Sequence, residues 1–226
     1  MSRTPIAVSA GPDRPAGAAA QATVAAPVAV TVAGTEPYPW PWDGRFSPRR
    51  CALLIVGDGS PIGDSSVAGV VSELTAAAVE AGIMAVRVAT GRPGPAGPAA
   101  VAGPVWPVGP SVTAAGWDGF YGSPLDSLLR AAGRDQLLLA GRLLETGVHS
   151  TLRSANDRGY ECLTLGDACE AFSAQTRAGG MSTITMSGGI FGAIGSAADL
   201  LGLLRALAGL TCSTDSTDST DSTEER

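Results

Sequence analysis

The stretch Leu137–Cys162, LLLAGRLLETGVHSTLRSANDRGYEC, constrains the fold more than any other part of the chain. Gln136–Ala140 is an uninterrupted apolar run that stops at Gly141, the pattern of a strand covered on both faces. Val148, Leu152 and Ala155 then recur at helical spacing, with Thr146 as the expected N-cap and Gly159 as the expected stop after Asn156. Tyr160–Leu165 starts the next apolar strand. A buried strand, a helix and another buried strand make a parallel crossover unit. In open α/β sheets ligands sit just beyond the carboxyl ends of such strands, so Gly141–His149 is where a site is expected.

The same alternation runs through the rest of the chain. Cys51–Val56 (CALLIV) reads as the first core strand and Ile83–Ala89 as the second. Between them Ser65–Ala81 carries Val67, Val70, Val71, Leu74 and Ala78 on one helical face, with Gly82 as its stop. Gly91–Pro110 is a Pro/Gly-rich loop, within which Val105–Val108 around Trp106 reads as a short strand. Further on come a helix at Pro124–Ala132, a helix near Ala168–Ala178 and a strand at Ser182–Met186. A glycine-rich turn, SGGIFGAIG, precedes a last helix at Ala197–Leu207. Residues 1–35 read as a disordered Ala/Pro-rich segment, 36–210 as the domain and 211–226 as an acidic disordered tail. Within the domain, 36–48 (EPYPWPWDGRFSP) is an arm held extended by Pro37, Pro39 and Pro41, whose Tyr38, Trp40 and Trp42 are expected to pack over the domain or a neighbouring subunit, with ligand stacking as the alternative.

Composition limits the chemistry. All 15 basic residues are arginine, and His149 is the single histidine. Without lysine, no mechanism that needs an amine base, a Schiff base or a lysine on phosphate can run on this chain. The net charge is −6, most of it from the tail, and no basic stripe exists, so nucleic-acid binding is not expected. Cys51, Cys162, Cys169 and Cys212 lack metal spacing, and Cys51 and Cys162 fall in apolar strands; reduced thiols in a cytoplasmic protein are the expectation. No apolar run reaches the roughly 18 residues of a membrane span. Neither a cofactor nor a metal is expected.

Two motifs invite a functional interpretation. Gly57-Asp58-Gly59-Ser60-Pro61-Ile62-Gly63 lies between a strand and a helix, as a nucleotide-binding turn does. Its spacing is GxGxxxG, Pro61 interrupts it, and the second strand ends in Ala89-Thr90 where a ribose-binding acid belongs, so a plain turn is the better interpretation. Around the central helix, Glu145 and His149 could form an acid–base pair with Arg142 beside them. The structural alternative is capping and packing, with Glu145 near the positive end of the helix.

The chain resembles the isochorismatase-like cysteine hydrolases, in particular the amidohydrolase branch that includes biuret and ureidoacrylate hydrolases. The resemblance rests on YPWPWDG (Tyr38–Gly44), CALLIV, GFYGSPLDSLLR (Gly119–Arg130), LLLAG, VHSTLRSANDRGYECL (Val148–Leu163), DAC (Asp167–Cys169) and TITMSGGIFGAIG (Thr183–Gly195). It implies a three-layer α/β/α sandwich around a parallel sheet of about six strands, and assembly into oligomers. It also implies a catalytic Asp at the end of the first strand, a Lys before the GFYGSPLD segment and a nucleophilic Cys at the start of the central helix.

At those three places this chain has Gly57, Ala114 and Gly147. Asp58 stands one residue late, and a one-residue shift at a strand end turns a side chain to the other face. The expectation is therefore a pseudoenzyme, acting as a binding or assembly subunit that forms homo-oligomers or joins an active paralogue. Its small-molecule pocket is expected to be lined by Gly57, Asp58, Trp117, Phe120, Arg142, Glu145, Thr146 and His149. The rival is an active hydrolase of amide or ureido compounds rebuilt around Glu145 and His149, with Thr146 or Ser150 as nucleophile.

Overall fold

The computed structural model describes residues 30–91 and 109–214. Expectations for most of the Ala/Pro-rich segment, for Val105–Val108 and for all but the first residues of the acidic tail lie outside those residues. The elements are β1 (Cys51–Gly57), α1 (Ser65–Glu80), β2 (Met84–Ala89), β3 (Ser111–Thr113), α2 (Leu125–Ala131), β4 (Gln136–Arg142), a π-helical turn (Leu144–Val148), α3 (His149–Asp157), β5 (Glu161–Glu170), α4 (Ala174–Thr185), β6 (Ala193–Gly195) and α5 (Ala197–Thr214).

The strands form one six-stranded sheet in the order β3-β2-β1-β4-β5-β6, and every pair is parallel. Successive strand residues face opposite sides. Leu53, Leu138, Ala140, Leu163 and Leu165 join Val71, Leu74, Leu200 and Leu204 of α1 and α5 in one core layer. Leu54, Val56, Val86, Val88, Leu137 and Leu139 join Leu125, Leu129, Leu152 and Ile184 of α2, α3 and α4 in the other. Both faces of the sheet are therefore covered, which is why its strands read as continuous apolar runs. The three-layer α/β/α sandwich follows. Among the described residues no helix is long and apolar enough to cross a membrane.

The arm docks on the first of these layers. Trp40 is fully buried, and Phe46 meets it edge-on at 6.2 Å. It is not extended: Val32 N–H donates to Trp40 O at 2.8 Å, so the chain doubles back, and the Glu36–Pro37 and Trp40–Pro41 bonds are cis. Residues before the arm pack with it: the Val30 N–H donates to Gly44 O at 2.8 Å, and Val32 is buried. Glu36 also exchanges hydrogen bonds with Ile194, at 2.9 and 2.7 Å, closing the edge of β6.

The second half of the chain departs most from expectation. β5 runs on to Glu170, so Ala168 is strand, and the helix expected near Ala168–Ala178 starts at Ala174 behind the Ser173–Thr176 capping box. Ser182–Met186 is not a strand but the end of that helix. Thr183 and Thr185 there return their hydroxyls to the carbonyls of Gly179 (2.9 Å) and Met181 (3.3 Å), while Ile184 is fully buried. The sixth strand, Ala193–Gly195, lies inside the segment expected to be only a turn.

Candidate functional site

The sheet order reverses between β1 and β4, and β1 pairs with β2 on its other side. The crevice beyond the carboxyl ends at such a switch point is where α/β sheets bind ligands. Gly57 ends β1, Thr90 follows β2, Ala114 follows β3 and Gly147 lies in the turn after β4. Backbone bonds tie the first three: Thr90 N–H donates to Gly57 O and Ala114 N–H to Ala89 O, both at 2.8 Å. Gly147 closes the group, because a Cβ built there would stand 2.7 Å from Thr90 Oγ1 and 3.5 Å from Val56 Cγ1. Thr90 and Ala114 are buried, and the Thr90 hydroxyl reaches Gly57 O at 3.4 Å.

The central helix does not begin as its sequence suggests. Thr146 is not the N-cap. Leu143 takes a left-handed conformation (φ 64°) and a single π-helical turn, Leu144–Val148, leads into α3. The Thr146 hydroxyl donates back to Leu143 O at 3.4 Å. Left-handed backbone at a bulky residue is strained, and here it is tolerated by burial of Leu143 and Leu144. Gly159 does end the helix, at φ 81°.

Beside the glycines stands an ion triad. The Arg142 Nη1 donates to both Asp58 oxygens at 2.8 Å and its Nε to Glu170 Oε2 at 3.0 Å. Glu170 Oε1 accepts in turn from the N–H groups of Gly63 (3.1 Å) and Asp64 (3.2 Å), which anchors the β1–α1 loop. This geometry depends on a bulge. Leu139 pairs with Thr164 but Gly141 pairs with Cys169, so the whole stretch Leu165–Ala168 of β5 stands opposite Ala140 alone before Glu170 comes level with Arg142. Burial raises the Asp58 carboxyl, but the Ser60 N–H and the Arg142 guanidinium more than offset it and hold it below the usual range. Asp58 and Arg142 thus neutralise each other. The sequence does not single out Glu170; its signal, an acid ending an apolar run, is too common to be read.

Glu145 and His149 are not bonded to each other. Glu145 Oε1 accepts from Phe172 N–H at 2.7 Å. His149 Nδ1 accepts from Arg153 Nε at 3.3 Å, which assigns the imidazole proton to Nε2. That nitrogen is buried without a partner. In this tautomer His149 has no open lone pair with which to take a proton. Burial, and then Arg153, lower its pKa and keep it neutral. Ser150, on α3, has no activating hydrogen bond among the described residues. Arg153 also stacks on Phe191 at 4.2 Å, and Arg158 covers Phe120 at 4.8 Å. Phe120 is itself core, 5% exposed and stacked on Tyr160, while Trp117 is half-buried just beyond β3.

Cys51, Cys162 and Cys169 offer no thiolate. Cys51, Cys162 and Cys169 are free and buried, and burial pushes the Cys51 and Cys169 thiols up to about 12. Among the described residues no group of three or more His, Cys, Asp or Glu is arranged to hold a metal.

These couplings make stability pH-dependent in two windows. His149 is bound neutral with a lowered pKa, so the unfolded chain takes up its proton first; stability should fall as pH drops below the ordinary imidazole value of 6.5. Asp58 has a lowered carboxyl pKa, so its contribution is present above the ordinary value of 3.8 and is lost as pH falls through its folded value. Urea titrations across this range should show both steps. His149→Gln should remove the upper one alone, because no other histidine exists.

A sequence profile described as the isochorismatase domain matches residues 60–198, more than half of the chain. Over 59 residues the chain is 41% identical to the uncharacterized isochorismatase family protein YecD of Escherichia coli, a match covering 26% of this chain and 31% of that protein. Over 52 residues it is 44% identical to the ureidoacrylate amidohydrolase RutB of Methylorubrum extorquens, covering 23% and 21% of the two chains. The chain thus spans about a third or less of the length of these curated relatives. A cysteine hydrolase from Pseudomonas syringae superposes with a TM-score of 0.60 at 18% identity, over 71% of this chain and 95% of that one. An isochorismatase family protein from Burkholderia thailandensis superposes with a TM-score of 0.57 at 23% identity, over 71% and 97%. With the profile spanning α1 to β6 and the same sheet architecture in these structures, the chain belongs to the isochorismatase family.

Proposed function

We propose that this family member has lost cysteine-hydrolase chemistry and serves as a binding or assembly subunit in the cytoplasm, either as a homo-oligomer or with an active paralogue. The observation that carries the proposal is at Gly147. The Asp, Lys and Cys that the resemblance predicts fall on Gly57, Ala114 and Gly147, and the Thr90 hydroxyl takes the space that a cysteine side chain in place of Gly147 would need. Arg142, which could otherwise grip an anionic substrate, is neutralised by Asp58 and Glu170. The rebuilt-site alternative, a hydrolase around Glu145 and His149, lacks the mutual hydrogen bond such a pair needs. Buried, protonated thiols suit a reducing compartment.

Ureido and amide compounds are the substrates to test, since RutB is named for one of them. The purified chain should give no turnover above the buffer rate on them, and sedimentation should report a species larger than a monomer. Turnover abolished by Arg142→Met, Glu145→Gln or His149→Gln would overturn the proposal.

A further inference from the structure

At the end of the sheet opposite the glycine cluster lies an open cleft of about 390 Å³, within the range of small-molecule sites. Its walls are the rings of Tyr38 and Trp42, which meet edge-to-face at 72° with centroids 5.0 Å apart. Trp42 is 72% exposed although it sits in a well-bonded arm. Glycines 188 and 189 also line it, and Gly189 packs close to Tyr38, since a Cβ there would stand 3.0 Å from the ring.

One charge lines it, the carboxylate of Glu161 at the start of β5. Glu161 Oε1 accepts the Tyr38 hydroxyl at 3.2 Å and the backbone N–H of Trp42 at 2.9 Å. Among the described residues Glu161 makes no ion pair. The arm thus fixes a negative charge beside two aromatic side chains that line the same cleft, an arrangement that attracts cations. We propose that this cleft binds a small alkylated ammonium compound. A planar guanidinium suits it less, because both lone pairs of Oε1 are already engaged and the two-oxygen fork is blocked. The site is independent of the chemistry at Gly147, so its test and that of the proposed function can fail separately.

The test uses the full chain and choline as the probe, with the choline methyl resonance followed by proton NMR. Ring currents of Trp42 and Tyr38 should shift it upfield in a saturable manner. The neutral isostere 3,3-dimethyl-1-butanol should show no such shift, and agmatine should bind more weakly than choline. Glu161→Gln, whose amide oxygen can still accept both hydrogen bonds, and Trp42→Ala should each weaken choline binding by about tenfold or more. Circular dichroism establishes that each variant is folded; should Glu161→Gln fail to fold, Trp42→Ala carries the test. An unshifted choline resonance, equal binding of the neutral isostere or undiminished binding by either folded variant would overturn the proposal. So would binding to phosphatidylcholine vesicles without binding to free choline, which would assign the cleft to a lipid headgroup.

Discussion

Gly141→Ala should abolish cooperative folding. Gly141 sits at φ 128°, where L side chains are rarely found, and an added Cβ would lie 2.0 Å from Val56 O and 2.8 Å from Val56 N. Those atoms belong to β1, bonded on both sides within the sheet, and cannot retreat. Overpacking of a rigid core costs about 1–3 kcal/mol or more, and a left-handed conformation adds roughly 1–2 kcal/mol. The sum approaches the roughly 5 kcal/mol at the lower end of whole-domain stability. The control is Gly82→Ala, at φ 83° but with nothing within 4 Å of the added Cβ, which should lower stability by only about 1–2 kcal/mol. Thermal melts by circular dichroism check both. A cooperative melt of Gly141→Ala within a few degrees of the parent would show that β4 does not press on β1 as described.

Gly147→Cys should neither restore hydrolysis nor be tolerated without loss. Its Cβ would meet Thr90 Oγ1 at 2.7 Å, and Thr90 is fully buried. Overpacking by about 1–3 kcal/mol corresponds to a fall of roughly 2–12 °C in melting temperature for a chain of this size. Removing the obstructing hydroxyl in Thr90→Ala/Gly147→Cys should recover most of that loss, so the two substitutions should couple in a double-mutant cycle by about 1 kcal/mol or more. Turnover of ureido and amide substrates should stay at background in both proteins. A thiol alone lacks the base and the charge-stabilising group that the resemblance places at Gly57 and Ala114. A melting temperature unchanged by Gly147→Cys would remove the steric half of the case, and turnover by that variant would remove the chemical half.

Local sequence pattern is enough to reach the sheet. Cys51–Val56, Ile83–Ala89 and Gln136–Ala140 are legible because strands buried on both faces must be apolar throughout, and Gly82 and Gly159 mark helix ends because they adopt positive φ there. β3 and β6 are not legible. Each is only a few residues long and owes its conformation to a neighbour: β3 to β2, β6 to β5 and Glu36. The second half of α4 is hidden for the opposite reason, since Gly179, Gly180 and its threonines have poor helix propensity and the helix persists through its capping box and the burial of Ile184.

At the site the division is equally physical. Sequence alone determined which side chains are available: no lysine, one histidine, and glycine or alanine at positions 57, 114 and 147. Covalent identity needs no fold to be read. Only the tertiary structure decided what those side chains do. Arg142, Asp58 and Glu170 are brought together by a β5 bulge that no local pattern announces, and His149 turns its Nδ1 to Arg153 instead of pairing with Glu145. Thr90, unremarkable in the chain, fills the space beside Gly147. Apart from the His149–Arg153 contact along one helix, these join residues dozens of positions apart, and their geometry is set by packing rather than by sequence neighbours.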